Sequence, residues 1–424
     1  MAIIKPFCAI RPKEGLEQKI AALPYDVYNR AEAKKEVEKE PMSFLNIDRP
    51  ETWFDDDTDI YADTVYKKAA QILWERIHSG QFVQETTPCY YIYELTMNQR
   101  SQTGIAACAS VDDYLNNIIK KHENTREDKE IDRVRHVDTC EAQTGPIFLA
   151  YKANQAINKQ VELTKKEKCL YDFTTSDQVT HRVWVINSQE SIEIITSAFK
   201  KINSIYIADG HHRCASAVKV SLMRREQNPD FKGDEEFNFF LSVLFPDEEL
   251  MIMDYNRVVK DLNGLSEEEF LKEVNKKFLV EKQTDNLNSE LRKPEKKGVI
   301  SMYLNNSWYS LIVKEELLSQ DPVEGLDVSI LQNNLLAPIL GILDPKSDKR
   351  IDFVGGIRGL AELERRVKTD CKVAFSMYPT LIEELFEVSD AGLLMPPKST
   401  WFEPKLRSGL FIHSIKQELC CKDK

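Results

Sequence analysis

The residues best suited to chemistry lie in one short run, Asp209-Gly210-His211-His212-Arg213. An apolar, strand-like stretch (204–208) leads into this run, and small residues typical of a helix follow it. The pattern predicts a strand, a tight turn and a helix N-terminus. Backbone N–H groups at a helix N-terminus bind anions, and an arginine adds a fork that matches phosphate oxygens. We predict that this turn binds a phosphoryl group, with Gly210 and Arg213 in contact with phosphate.

Two other interpretations of the same run are possible. In the first, Asp209 only caps the helix and the two histidines are surface polar groups. In the second, the histidines bind zinc, but adjacent histidines in a turn rarely ligate one ion, and the spacing indicates no third ligand. We favour phosphate binding because a helix cap needs only one acceptor side chain, whereas this turn carries several reactive side chains.

A second cluster of charges covers residues 120–138. Thr125 followed by Asp128 has the form of a capping box, which predicts a helix from residue 126 with the loop 121–123 leading into it. The alternative is a solvated salt-bridge helix, because acidic residues are interleaved. Spacings of three and four predict one cationic face for a polyanionic small molecule, made of Arg126, Lys129, Arg133 and His136.

A third cluster lies in the proline-stiffened stretch 396–409, where an ordinary basic surface loop is the alternative. We predict that this tail folds back onto the turn, because a donor with several negative charges needs more cations than Arg213 and the 126–136 face supply. A chain stopped at residue 390 is then expected to stay soluble and to lose donor affinity. The residues assigned to donor binding here are Lys398, Ser399, Thr400 and Lys405.

Composition limits the function classes. The chain has 424 residues and a net charge of 57 − 69 = −12, which argues against a general nucleic-acid binder or a protein of anionic membrane surfaces. No apolar run reaches the length of a membrane span, and the first residues have no signal-peptide pattern. The nine cysteines have no regular spacing, which predicts reduced thiols in the cytoplasm, with Cys420-Cys421 in a disordered terminus.

Nucleotide fingerprints are missing from the sequence. The run Gly355-Gly356-Ile-Arg358-Gly359 fits neither a phosphate-binding P-loop nor a dinucleotide-binding pattern. If the chemistry is phosphoryl transfer, the donor need not be a purine nucleotide. The polar pairs Tyr25-Asp26 and Asp48-Arg49, each at the end of a strand-like stretch, are as well explained by a structural role.

The order of patterned segments predicts a mixed α/β fold. Strand-like segments at 87–95 and 103–111 form a hairpin, and a helix follows the turn at 211–227. After Gly264 a capping box at Ser266 starts a helix, and a second hairpin turns at Asn305-Asn306. We predict a catalytic core (1–265), an additional α+β domain (266–390) and the tail (391–424).

The run Tyr206-Ile-Ala-Asp-Gly-His-His-Arg213 resembles the signature of the free serine kinases of the ParB/sulfiredoxin-like superfamily. Other runs, spread from residue 2 to about 413, resemble a larger family of that superfamily, long catalogued as a domain of unknown function. These include Leu23-Pro-Tyr-Asp-Val27, Ile47-Asp-Arg-Pro-Glu51, Lys121-His-Glu-Asn-Thr-Arg126, Gln143-Thr-Gly-Pro146, Asp254-Tyr-Asn-Arg-Val258 and Pro396-Pro-Lys-Ser-Thr400.

The resemblance implies a ParB/sulfiredoxin-like core with a mixed sheet. The branch it is most similar to makes O-phospho-L-serine from L-serine and pyrophosphate with a divalent ion, here Mg²⁺. On this basis the partners are L-serine and pyrophosphate, with no nucleic acid and no membrane. His211, His212 and Arg213 would hold the transferred phosphoryl group. Asp209 would be the general base or a carboxylate that orients the metal, with Glu123 as its rival.

Three alternatives stay open at this stage. In the first, the phosphoryl donor at the same site is ADP or ATP. In the second, the net reaction runs in reverse and dephosphorylates phosphoserine. In the third, the chain is a ParB-like DNA-binding adaptor. The net charge and the lack of a helix-turn-helix pattern count against the adaptor. The sequence does not indicate the partners of the serine carboxylate and ammonium, or the oligomeric state.

Overall fold

The computed structural model describes residues 1–283 and 289–416, and Cys420-Cys421 lies outside them. Strands and helices mix along the chain, which confirms the predicted α/β class. The strands are β1 (Ile4–Lys5), β2 (Ile10–Pro12), β3 (Phe82–Gln84), β4 (Tyr90–Met97), β5 (Arg100–Ser110), β6 (Ile119–Lys120), β7 (Ala142–Gln143), β8 (Ile147–Tyr151), β9 (Tyr171–Thr174), β10 (Thr180–Ile186), β11 (Ile205–Asp209), β12 (Phe239–Pro246), β13 (Ile252–Met253), β14 (Tyr255–Val259), β15 (Phe278–Lys282), β16 (Val299–Leu304), β17 (Ser307–Val313), β18 (Ile351–Gly355), β19 (Val373–Ser376), β20 (Trp401–Phe402) and β21 (His413–Ser414).

The helices range from single turns to the long helix that follows the predicted phosphate turn. Where the structure describes the chain, no helix combines the length and the apolar character needed to cross a membrane. The helices are α1 (Glu17–Ile20), α2 (Arg30–Lys39), α3 (Leu45–Asp48), α4 (Asp63–His78), α5 (Val111–Leu115), α6 (Glu127–Cys140), α7 (Gln155–Thr164), α8 (Gln189–Phe199), α9 (His211–Gln227), α10 (Glu267–Lys277), α11 (Asp327–Leu331), α12 (Gly359–Thr369) and α13 (Ile382–Asp390).

The chain divides into two compact units by its internal contacts. The first unit is Met1–Leu250 with Pro404–Lys424, and the second unit is Met251–Glu403. The predicted functional domains (1–265, 266–390 and 391–424) stay predictions, because contacts show which residues pack together and not which of them act as a domain.

A mixed nine-stranded sheet forms the centre of the first unit. Its strand order is β6-β11-β8-β12-β5-β4-β10-β9, and β1 pairs with β5. β11 runs parallel to β6 and antiparallel to β8, while β12 runs parallel to β8. The predicted hairpin is confirmed as β4 and β5, with Asn98 and Gln99 at positive φ in the turn. Apolar side chains of β4, β8 and β11 are buried against α7, α8 and α9.

The strand, turn and helix around the reactive run are those that the sequence predicts. Ile205 and Ile207 are buried in β11, as expected for β-branched residues in a central strand. The pairing of β11 with β8 shifts by one residue between Ile207 and Asp209. α9 then runs for 17 residues, and its small residues Cys214, Ala215 and Ala217 are buried. The irregular strand end places Asp209 directly before the helix.

The segment from residue 404 to 416 belongs to the core of the first unit. Leu410, Phe411 and Ile412 are fully buried, and Ile412 exchanges backbone hydrogen bonds with Ile10. β21 pairs with β7 in a two-stranded antiparallel sheet, which holds the segment against the first unit. This burial contradicts the expectation that a chain stopped at residue 390 stays soluble, because the truncation would remove part of the hydrophobic core.

The second unit contains a six-stranded sheet in the order β15-β17-β16-β19-β14-β18. Its two predicted local features are confirmed. Ser266 and Glu269 form a reciprocal capping box at the start of α10. Asn305 and Asn306, both at positive φ, turn the hairpin of β16 and β17.

Candidate functional site

The turn after β11 has a conformation that glycine adopts readily. Gly210 has φ = 89°, and a Cβ at this position would lie 3.2 Å from Nε of Arg213. Both the left-handed backbone and the close guanidinium therefore favour glycine. No side chain caps the first turn of α9 in the described part of the chain; the one backbone N–H there that donates to Asp209 is that of Gly210, at 2.8 Å. The first N–H groups of α9 are thus left for another acceptor, and the capped-helix alternative accounts for one donor only.

Asp209 lies between two cations. Its Oδ2 accepts a hydrogen bond from Lys405 Nζ at 2.9 Å. Burial opposes ionisation, but the charges of Lys405 and Arg213 and the hydrogen bonds outweigh it and hold the pKa of Asp209 well below its usual value. A carboxylate that is so readily ionised accepts protons poorly, so the geometry favours the orienting role predicted for Asp209 over the role of general base.

Two arginines meet at a small cavity, which we call the arginine cavity. Arg213 donates to the Pro146 carbonyl at 2.6 Å, and Arg133 lies over the Tyr25 ring at 4.1 Å. The cavity has a volume of about 30 Å³, room for roughly one or two waters. Eight of its lining residues are polar and come from distant parts of the chain: Tyr25, Asp48, Arg133, His136, Gln143, Thr144, Arg213 and Ser408.

Arg133 is buried and firmly cationic. Burial lowers its pKa, but the nearby negative charge, above all that of Asp132, raises it beyond its usual value. Arg133 Nε donates to Asp132 at 2.9 Å, and Thr144 donates to the buried Asp48 carboxylate at 2.8 Å. The arginine cavity therefore combines two fixed cations with a hydroxyl and a carboxylate, a set that can hold an anion of limited size.

The predicted cationic face of the second cluster does not form as one wall. Thr125 donates to Glu130 at 2.7 Å instead of capping, and Arg126 is the N-cap residue of α6. The Arg126 side chain is 72 % exposed and pairs with Asp128, while Arg133 and His136 are buried. The capping box was wrong because α6 begins at Glu127, one residue later than predicted, so that Arg126 and not Thr125 is the N-cap residue.

His136 and His212 have structural hydrogen bonds. His136 Nε2 donates to the Ile47 carbonyl at 2.9 Å, and burial together with the Arg133 charge lowers the pKa of His136. His212 Nε2 accepts the backbone N–H of Arg126 at 3.0 Å. Both imidazoles are therefore neutral at pH 7 and contribute polarity but no charge to the site, while their predicted roles in phosphate and donor binding stay predictions.

A second cavity, which we call the histidine cavity, lies beside the turn. It has a volume of about 190 Å³ and includes Glu123, the predicted rival base, in its wall. The His211 ring lies edge-on to the His122 ring at 4.6 Å, and Nε2 of His211 has no hydrogen-bond partner among residues 1–283 and 289–416. Burial lowers the pKa of His122 to about 4 and that of His211 well below 6.5. The cavity is lined by Tyr114, Lys121, Glu123, Asn124, Thr125, Ile207 and His211.

The three predicted donor residues of the 396–400 loop lie in the second unit. Lys398 has a positive φ of 61°, and its carbonyl accepts from Arg257 at 3.0 Å. Ser399 donates to the Pro396 carbonyl at 2.7 Å, and Thr400 follows it. These bonds explain the loop conformation, and the role of Lys398, Ser399 and Thr400 in donor binding stays a prediction.

Some residues that line the arginine cavity were not predicted from the sequence as site residues. Thr144 lies in the run Gln143–Pro146 and Ser408 in the stretch 396–409, but neither pattern indicated that these two residues line a cavity. Tyr25 and Asp48 belong to polar pairs that looked equally structural, and both line the arginine cavity. Their position after strand-like stretches was the available signal, but it did not specify which cluster they would join.

Comparison with solved structures gives low similarity over most of the chain. A structure described as a free serine kinase in complex with AMP is 13 % identical, covers 73 % of this chain and 91 % of its own, and has a TM-score of 0.34. SbnI with a C-terminal truncation, from Staphylococcus aureus, is 12 % identical, covers 74 % and 90 %, and has a TM-score of 0.37. A conserved hypothetical protein from Pyrococcus furiosus is 14 % identical, covers 73 % and 94 %, and has a TM-score of 0.33.

Comparison of sequences gives one clear assignment. No curated protein matches the chain. The profile of a family described as a protein of unknown function, DUF1015, matches residues 4–329. Because this match covers well over half of the sequence, the chain belongs to the DUF1015 family.

Proposed function

We propose that this protein is a phosphotransferase that phosphorylates the hydroxyl of free L-serine, with pyrophosphate as the donor. One observation carries the proposal: the uncapped N-terminus of α9 and the guanidinium of Arg213 meet over Gly210, where a Cβ would lie only 3.2 Å from Nε of Arg213. A phosphoryl group in this turn would face backbone N–H groups and a bidentate cation together.

Phosphoryl transfer depends mainly on positioning and on neutralising negative charge. Arg133 and Arg213 line the arginine cavity, and Lys405 lies within hydrogen-bond distance of Asp209. These three cations would neutralise a donor that consists only of phosphate groups. Pyrophosphate has no base or ribose, so such a site needs no nucleotide pocket.

Mg²⁺ is the cofactor we propose for the donor. Magnesium binds through one or two carboxylates together with substrate phosphates and waters. A carboxylate has about four acceptor positions, so Asp209 could ligate the ion and keep its bonds to Lys405 and Gly210. Glu123 is the second carboxylate near the turn. The ion would supply charge neutralisation on the donor oxygens.

Glu123 is the residue we propose as the general base. Glu123 and His211 both line the histidine cavity, where an acceptor hydroxyl could approach the turn. Asp209 is the weaker choice because Lys405 and Arg213 stabilise its ionised form. Asp209 would instead hold Lys405 in position and orient the metal.

A donor assay tests the proposal. The purified full chain is incubated with L-serine and Mg²⁺ and, in parallel, pyrophosphate, ADP, ATP or polyphosphate, and O-phosphoserine is measured. We expect product with pyrophosphate and no nucleotide. If O-phosphoserine forms with ADP or ATP but not with pyrophosphate, the donor is a nucleotide and the proposal of pyrophosphate is wrong. No product from any donor would reject the kinase, and a salt-dependent DNA-shift assay would then test the adaptor alternative.

A further inference from the structure

The histidine cavity contains a buried group that its surroundings leave unsatisfied. His211 is 7 % exposed, and its Nε2 has no hydrogen-bond partner within the described chain, although the residue lines the cavity. Leaving a buried polar atom unpaired costs about 1–3 kcal/mol, so a buried polar atom without a protein partner is usually satisfied by an ordered water, an ion or a ligand. Because His211 lines the cavity, a molecule bound there could supply that partner.

Lys121 supplies a positive charge to the same cavity. Its ammonium forms no ion pair or hydrogen bond with any other residue that the structure describes, and its charge helps to lower the pKa of His211. Lys121 is exposed at the cavity wall, so it can reach a ligand without a large desolvation cost. An unpaired lysine next to an unpaired imidazole suits a ligand with both a carboxylate and a hydroxyl.

The size of the cavity limits the ligand. At about 190 Å³ it is smaller than the roughly 300–1,000 Å³ of pockets that take drug-sized molecules. Asn124 and Thr125 add neutral polar groups to one wall, and Ile207 and Tyr114 add apolar surface. This lining suits a small polar acid and leaves little room for a nucleotide.

We infer that Lys121 binds the carboxylate of the acceptor and that His211 Nε2 contacts the acceptor hydroxyl; this inference rests on the proposed function. His211 is the first residue of α9, so its backbone belongs to the phosphate turn while its side chain lines the histidine cavity. A hydroxyl at Nε2 would therefore lie close to the phosphoryl group. Lys121 would then select an acceptor that carries a carboxylate. The sequence alone did not assign the binding of this carboxylate to any residue.

The experiment compares two ligands and two lysine variants of the full chain. The ligands are L-serine and L-serinamide, which keeps the hydroxyl and the ammonium but lacks the carboxylate. The variants are Lys121→Met and the control Lys120→Met, one residue earlier in β6 and outside the cavity lining. Dissociation constants for each ligand and for pyrophosphate are measured by NMR titration without a second substrate. Lys121 is exposed, so its variant is expected to fold.

The parent protein is expected to bind L-serine more tightly than L-serinamide. Lys121→Met should weaken L-serine binding about 10-fold to 100-fold, the range for a hydrogen bond to a charged group, and leave L-serinamide and pyrophosphate unchanged. Lys120→Met should change none of the three constants. Equal losses for both acceptors, a loss confined to pyrophosphate, or no preference of the parent for L-serine would overturn the inference.

Binding without turnover separates this inference from the proposed function. If L-serine binds through Lys121 but no donor yields O-phosphoserine, the inference stands and the kinase does not. If O-phosphoserine forms while Lys121→Met matches the parent with both acceptors, the kinase stands and the assignment of Lys121 is wrong.

Discussion

At the level of single residues, the two carboxylates near the turn have different surroundings. Asp209 accepts from Lys405 and Gly210, and its pKa is held well below the usual value by cations that outweigh burial. Glu123 lines the histidine cavity beside His211. The loss of each carboxylate is therefore expected to lower the rate for a different reason.

Glu123→Gln should lower kcat about 100-fold, because the variant lacks the proposed general base. Asp209→Asn should also lower kcat, since Lys405 loses its partner, but the shape of its kcat profile between pH 5 and 9 should match that of the parent. Asp209 stays ionised throughout that range, so it does not titrate there. The measurement is kcat against pH with circular dichroism as a control of folding. A profile whose shape changes with Asp209→Asn, or a parental kcat in Glu123→Gln, would contradict these roles.

At the level of secondary structure, the site depends on how β11 passes into α9. The shift in pairing after Ile207 and the positive φ of Gly210 let the chain turn within two residues. The same turn brings Arg213 back over Gly210, where a Cβ would contact the guanidinium. The backbone conformation and the proposed phosphate binding thus depend on one position.

Gly210→Ala and Gly233→Ala form a matched pair that separates these effects. Both glycines have φ near +90°, but a Cβ at Gly233 would meet nothing within 4 Å. Each substitution should cost about 1–2 kcal/mol of folding free energy, the penalty for an L-residue in the left-handed region. Only Gly210→Ala should also raise the KM for the donor, because it displaces Arg213. Urea unfolding and donor kinetics measure both effects, and equal kinetics in the two variants would contradict the role of the turn.

At the level of the whole molecule, the end of the described chain stabilises its beginning. Leu410, Phe411 and Ile412 are fully buried, and Lys405 and Ser408 in the same segment contact or line the site. The segment thus has a structural role beside the functional one that we propose. We therefore do not expect it to behave as a separable tail.

A chain stopped at residue 390 should fail to fold in its first unit. Burying a large apolar side chain contributes about 1.5–3 kcal/mol, so losing Leu410, Phe411 and Ile412 removes an amount comparable to the whole stability of a typical domain, about 5–15 kcal/mol. A chain stopped at residue 416 keeps these residues and is the control. Thermal unfolding followed by circular dichroism compares the two. A cooperative transition at the parental temperature in the shorter chain would contradict this prediction.

Local patterns in the sequence were sufficient to predict several secondary-structure elements. The strand, turn and helix at 204–227, the capping box of Ser266 and the hairpin at Asn305-Asn306 all follow from neighbours within a few residues. Their hydrogen bonds and side-chain periodicity are set within a short segment, which is why a single sequence can predict them. Thr125 shows the limit, because α6 begins one residue after the position that its capping pattern predicts.

The grouping of side chains was decided by the tertiary structure. Lys405 reaches Asp209 across 196 positions of the chain, and Arg133, Arg213 and Ser408 meet at one cavity although they lie on separate elements. Sheet order and helix packing bring such residues together, and no short-range pattern encodes either. The sequence by itself determined which residues could bind phosphate and that a glycine turn would present them. Only the folded chain determined which cations surround Asp209, because the energy of those contacts depends on positions that distant segments set.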